Sequence, residues 1–261
     1  MCAQRLALVC AGCAVSVHQL VILAIFGVAA GAINAAVGAG TMITYPALLS
    51  IGLPPVVANG TNTLGIFPGA ITGAWMYRHR LRGRKRQLTI WAAGTAAGAV
   101  VGALLVVLLP AVVFASVVPW LILSACVVIG AQPLILKLTK DWSASPRTVG
   151  GAVSTVGIYG GYFGGGQGVA YLAVLTALHD DDVQLANAIK QVLMGFANAA
   201  SAAVFICFGR VMWLPAIVMW FATLAGGAIG GGVAKRLPSW VLRIVIVLVG
   251  LYAAYVSFTK L

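Results

Sequence analysis

The sequence contains no glutamate, and its acids are confined to Asp141, Asp180, Asp181 and Asp182. Charged residues of all kinds make up 8 % of the 261 residues, where a soluble domain carries about a quarter. So few charges cannot cover a water-exposed surface of this size, which excludes a soluble globular enzyme. A membrane-embedded enzyme is disfavoured too. No acidic pair stands inside an apolar stretch, no nucleophile–base pair is evident, and no HExxH metal motif occurs. The five cysteines (Cys2, Cys10, Cys13, Cys126, Cys207) lack metal-ligand spacing. Cys10 and Cys13 form a CxxC set among alanine and valine, which reads as a pair of buried thiols. Neither a metal nor a cofactor is expected.

What the chain has instead is apolar length. Hydrophobic residues make up 62 % and the mean hydropathy is +1.05, so most of its surface is expected to be solvated by lipid. Continuous spans are predicted at 55–77, 88–109, 112–136, 183–208, 213–234 and 239–258. Two further apolar regions, about 20–52 and 148–178, are interrupted at Gly38-Ala39-Gly40 and at Gly164-Gly165-Gly166-Gln167-Gly168. Each interruption leaves a following helix of about a dozen residues, too short to cross a bilayer. Arg5 and the apolar run after it resemble a signal peptide, but the run continues to Val37 without a clear cleavage site, so it is read as retained.

The formal net charge of +12 is distributed as loops between spans. Six cations fall within Arg78 to Arg86, three more are Lys137, Lys140 and Arg147, and another three are Lys235, Arg236 and Arg243. The positive-inside rule puts such loops in the cytoplasm. There is no basic face interleaved with aromatics, so nucleic acid is not an expected partner. Trp75, Tyr77, Trp91, Trp120, Trp142, Trp213 and Trp240 fall near span ends and read as an interfacial belt.

Self-comparison reveals a repeat. At an offset of 126, Gly31, Gly38, Gly40, Tyr45, Ala47 and Leu49 match Gly157, Gly164, Gly166, Tyr171, Ala173 and Leu175. At an offset of 128, Asn59 matches Asn187, Gly98 and Gly102 match Gly226 and Gly230, and Leu109-Pro110 matches Leu237-Pro238. The turn at Pro238 is basic while that at Pro110 is uncharged, and the loop at 78–86 is basic while its counterpart near 206–214 holds only Arg210. The expected fold is therefore an all-α polytopic membrane protein of two inverted repeats, each a broken, re-entrant helical hairpin plus three transmembrane helices. Its parts are an N-terminal apolar extension (1–19), a first repeat (20–136), a cytoplasmic linker (137–147) and a second repeat (148–261).

Non-helical backbone inside a bilayer is tolerated where it is buried in protein or lines a wet cavity. The helices starting near Thr41 and Gln167 would present free N–H groups and positive dipole ends, and two such ends converging would bind an anion without a charged side chain. The alternative is that the glycines only permit close packing, the preferred reading for Gly98/Gly102 and Gly226/Gly230. Polar side chains within the spans include Asn34, Thr41, Thr44, Asn59, Thr61, Asn62 and Thr63, then Gln167, Asn187, Lys190, Gln191 and Asn198. Asn59 and Asn62 share a helix face, as do Asn187 and Lys190. Lys190 either snorkels to an interface or pairs with Asp181 or Asp182, or it faces the cavity and attracts an anion. The absence of a clear mid-membrane carboxylate favours the cavity. His18 reads as packed or interfacial and His79 as solvated. His179 with Asp180–Asp182 reads as a helix cap rather than a metal site.

The run from Gly31 to Pro46 with Ala58-Asn59-Gly60-Thr61-Asn62, echoed by Gly160–Gly168 and Ala186-Asn187-Ala188-Ile189-Lys190, resembles the TauE/SafE family of probable sulfite and organosulfur exporters. The resemblance covers about residues 20–258 and implies a plasma-membrane permease with duplicated halves, handling small sulfur-containing or carboxylated anions. Gln167 departs from the small residue expected in such a run. The combined expectation is a secondary transporter, an exporter of a small anion such as sulfite or an organosulfonate, working by alternating access. Its substrate-binding residues are expected to be Asn34, Gly38, Gly40, Thr41, Asn59, Asn62, Gly164, Gly166, Gln167, Asn187 and Lys190. A passive anion channel is the alternative, and a membrane-embedded enzyme a more distant one. The expected partners are the anion and the bilayer.

Overall fold

The computed structural model describes residues 15–138, 144–178, 183–233 and 239–259. The N-terminal extension to residue 14, the acidic turn at 179–182, part of the linker (139–143, with Asp141 and Trp142) and the basic turn at 234–238 lie outside the described residues. Ten α-helices are described: α1 Val17–Ala36, α2 Thr41–Ser50, α3 Pro55–Met76, α4 Lys85–Leu108, α5 Ala111–Leu138, α6 Pro146–Tyr162, α7 Gln167–Leu178, α8 Val183–Cys207, α9 Trp213–Val233 and α10 Ser239–Thr259. A single 3-10 turn, Arg78–Leu81, carries the first basic loop. The chain is an all-helical polytopic membrane protein. No strand occurs among the described residues.

Local sequence sets the boundaries. Ser16 caps α1 through a capping box with Gln19, Ser145 caps α6 by accepting from the Thr148 amide, and Pro55 and Pro146 open α3 and α6 where a proline lacks nothing. Helix α4 starts three residues before the predicted span because Lys85, Arg86 and Gln87 are good helix formers at a wet end. The short helices begin at Thr41 and Gln167, with 10 and 12 residues. At 1.5 Å per residue they reach about 15–18 Å, roughly half of a ~30 Å hydrocarbon core. Gly40 folds back over Ala30 and Asn34 of α1, so the first break turns the chain on itself.

The first five helices and the last five pack in exchanged pairs. Helix α4 packs on α6 as α9 packs on α1, α3 on α9 as α8 on α4, and α5 on α7 as α10 on α2, while α3–α8 and α5–α10 pair across. Small residues make these contacts close. Gly98 and Gly102 lie on Ser154, Ile158 and Tyr162, and Gly157 and Gly161 return the contact on Thr95 and Ala99. In the other pair, Gly226 lies on Val28, and Gly31 on Thr223 and Gly227. The Gly98/Gly102 and Gly226 positions thus serve helix packing, as small residues do in bilayers. The outer faces of α1, α4, α5, α9 and α10 expose Ile25, Leu105, Trp120, Phe221 and Leu248, a surface suited to lipid. Trp75, Trp120, Trp213 and Trp240 are exposed. Trp91 corrects the expected belt: it is buried, and its Nε1 donates to the Pro146 carbonyl at 3.1 Å, tying α4 to the start of α6.

Candidate functional site

The two breaks meet. The Gly168 amide donates to the Gly38 carbonyl at 3.1 Å, so the first break and the start of α7 are joined backbone to backbone. A Cβ at Gly38 would sit 2.5 Å from Gly168 Cα, and Gly38 has φ +84°. Only glycine meets both the left-handed backbone and the close approach. On the second side, Gly164 and Gly166 also have positive φ. A side chain at Gly166 would point at Ala125 and Ile129 of α5 and one at Gly164 at the Gly160 carbonyl. Tyr45 of α2 stacks edge-on against Phe163 of the second break at 5.2 Å.

Several amides nominated for an anion are already engaged. Gly38 N–H donates to the Ile33 carbonyl, Gly164 N–H to Tyr159, Gly168 N–H to Gly38 and Gln167 N–H to Gly164. Gly40 N–H points at Asn34 Oδ1 across 3.4 Å. The amides of Ala39, Thr41, Gly165 and Gly166 have no acceptor among the described residues. These four are the unspent donors at the crossing.

Side chains from α3 and α8 surround it. Asn62 donates to Thr41 Oγ1 at 3.2 Å and accepts from Thr44 Oγ1, holding the first turns of α2 against α3. Gln167, at the start of α7, donates to Asn198 Oδ1 of α8 at 2.9 Å. Among the bonds that cross between the helix sets, two end on the broken helices. Asn59 of α3 donates to the carbonyl of Tyr162, the last residue of α6, at 2.9 Å. Gln191 of α8 donates to the Ala35 carbonyl at 2.8 Å, near the end of α1. Each central helix thus caps the C-terminal end of the other set's broken helix, where carbonyls lack intrahelical partners.

Lys190 is fully buried one residue from Gln191, on the stripe it shares with Asn187 and Met194. Met194 in turn lies against Gly168. The Lys190 Nζ has no partner among the described residues, and Asp181 and Asp182 lie outside them. Asn34 Nδ2, Asn198 Nδ2, Asn59 Oδ1, Asn187 Oδ1, Gln167 Oε1 and Gln191 Oε1 are also buried and unpartnered. Buried polar groups ordinarily find partners, so these orphaned atoms on α1, α3, α7 and α8 make this region the candidate site. Gln191, Asn198 and Thr44 were absent from the nominated set. For Gln191 and Asn198 the signal was helical spacing: 187, 191, 194 and 198 line one face of α8.

Known proteins agree with this class. Residues 23–256 match the family described as sulfite exporter TauE/SafE. A probable membrane transporter protein, ORF9, of a Sinorhizobium species is 29 % identical over 91 % of this chain and 91 % of its own length. A probable membrane transporter protein of Haemophilus influenzae is 27 % identical over 90 % of this chain and 92 % of its own. The probable membrane transporter protein YfcA of Escherichia coli K12 is 28 % identical over 84 % and 82 %. No solved structure matches the chain significantly.

Proposed function

This chain belongs to the sulfite exporter TauE/SafE family, and on that premise we propose that it exports a small oxyanion, sulfite or an organosulfonate, by alternating access. That it is a membrane transporter rests on the family and the names of its relatives, which indicate transport rather than catalysis. The observation that carries the finer reading is the meeting of two helix breaks with unspent amides, beside the helix that holds a buried Lys190 without a partner among the described residues. The Ala39, Thr41, Gly165 and Gly166 amides, two from each break, would hold the anion's oxygens. The Asn34, Asn59, Asn62, Gln167 and Asn187 side chains would complete the shell, and Lys190 would supply the positive charge. Charge-assisted donors favour an anion with several acceptor oxygens.

The exchanged packing pairs and the distribution of cations support two inverted repeats, 20–136 and 148–261, related across the membrane plane. In this arrangement the basic loops at 78–86, 137–147 and 235–243 face the cytoplasm of a plasma membrane. The reciprocal caps from Asn59 and Gln191 link each half to the other's break, so that rocking one half carries the opposite gate. Export needs no coupling ion in principle. A monovalent anion leaves a negative cytoplasm with ~2.3 kcal/mol per 100 mV.

The test is efflux from proteoliposomes loaded with sulfite, thiosulfate, sulfoacetate or taurine, with thermal stabilisation by the same compounds as a binding readout. Saturable efflux of at least one is expected, with its apparent affinity weakened by Lys190→Gln. Unchanged affinity in that variant would remove Lys190 from the site. Currents of thousands of ions per opening would replace the carrier by a channel. Cysteines placed at Arg84 and Arg210 should be labelled from opposite faces, and labelling from one face would end the inverted arrangement.

A further inference from the structure

We propose that the basic cleft between the N-terminal ends of α4 and α6 is a binding site for one anionic phospholipid. The cleft has a volume of about 650 Å³, within the ~300–1,000 Å³ range of ligand sites. Its mouth carries Arg84, Arg86 and Arg147, and both helices open there, each adding a positive dipole end. The basic loop of Arg78 to Lys85 adjoins it. Below the arginines the character changes. Ile90, Gly94, Gly150, Gly151 and Ser154 line the walls, and Trp91 closes the floor. A side chain at Gly151 would meet nothing within 4 Å. From Lys85 to Gly94 the groove descends ~14 Å at the rise of an α-helix, from the charged interface into the hydrocarbon. Below that, Gly98 and Gly102 bring α4 and α6 into contact and close it.

A cationic rim over an apolar, small-residue groove open to the bilayer matches one molecule with an anionic headgroup and an acyl chain. A free phosphate would use the rim and leave the groove empty. The feature is no by-product of internal repetition. The positions equivalent to Arg86, Gly94, Arg147 and Gly151 on α9 and α1 are Leu214, Ala222, Val21 and Ile25. There the arginines are gone and larger side chains stand where the groove would run.

The test uses purified full-length protein in mild detergent, with retained lipid counted by native mass spectrometry and stability followed by melting. Phosphatidylglycerol, phosphatidylcholine and inorganic phosphate are titrated separately. Phosphatidylglycerol should be retained and should stabilise, with neutral lipid and phosphate doing neither. Each of Arg84→Gln, Arg86→Gln and Arg147→Gln should weaken retention about fivefold. Gly151→Leu, which fills the groove and keeps every charge, should weaken it at least as much while folding normally. Equal retention of neutral lipid, equal stabilisation by phosphate, or full retention by Gly151→Leu would each overturn the proposal.

Discussion

Alanine at Gly168 places one methyl group where the two breaks cross. It lands 2.8 Å from the Gly38 carbonyl oxygen and 2.8 Å from Met194 Sδ, and presses on Gly38 Cα as well. The methionine can swing aside, but the Gly38 backbone cannot. Gly168 is helical, so the cost is overpacking alone, ~1–3 kcal/mol. Gly38→Ala meets Gly168 Cα at 2.5 Å and also holds φ +84°, which adds ~1–2 kcal/mol for a left-handed residue with a Cβ. Its total is then ~2–5 kcal/mol. Gly52→Ala separates the two causes: it has φ +91° and nothing within 4 Å, so only the ~1–2 kcal/mol of backbone strain applies. Reversible unfolding in mixed micelles measures all three. Because Gly38 and Gly168 share one point of contact, the first substitution opens the crossing for the second. The double variant should therefore cost less than the sum by ~0.5–3 kcal/mol, whereas Gly38→Ala with Gly52→Ala should add. If Gly38→Ala costs no more than Gly52→Ala, or the Gly38/Gly168 pair is additive, the breaks do not bear on each other as described.

Lys190→Met should raise stability by about 1 kcal/mol or more, since it removes a buried amine that has no partner among the described residues, while abolishing stabilisation by the transported anion. A loss of stability in the same melting assay would mean that an acid holds the amine and that the site reading fails. Asn59→Leu and Gln191→Leu each strand a buried carbonyl at the end of a broken helix, so each should cost ~1–3 kcal/mol in unfolding and slow efflux. Slowed efflux without loss of stability would contradict the capping role. Gly98→Leu, packed against Ser154 and Ile158, should destabilise by at least ~1–3 kcal/mol. Gly130→Ala, with nothing within 4 Å, should be neutral or gain up to ~1 kcal/mol in the same measurement.

The helical scaffold was legible because bilayer physics writes it in one dimension. Apolar length marks each span, and a glycine cluster marks each break, so the starts of α2 and α7 at Thr41 and Gln167 followed from composition alone. Trp91 shows the limit of such reading. Its place near a span end suggested an interface, but a helix end can be buried by a neighbour, and the Pro146 carbonyl takes its indole N–H. The crossing was only half legible. Two breaks are visible in the sequence, yet which atoms touch depends on how α3 and α8 pass between them. Internal repetition was a poor guide to that. It equates Asn59 with Asn187, but the side chain of α8 that caps the opposite broken helix is Gln191, one turn further along. Thr63, the formal counterpart of Gln191, bonds back to Asn59 within its own helix. The two sets therefore place equivalent bonds with inequivalent residues. A shorter asparagine reaches Tyr162 on one side, and a longer glutamine reaches Ala35 on the other. Backbone packing repeats at the level of helices, while the polar lining has diverged. A lining of inequivalent residues can tell the two ends of an asymmetric ligand apart, whereas a symmetric one would bind them alike.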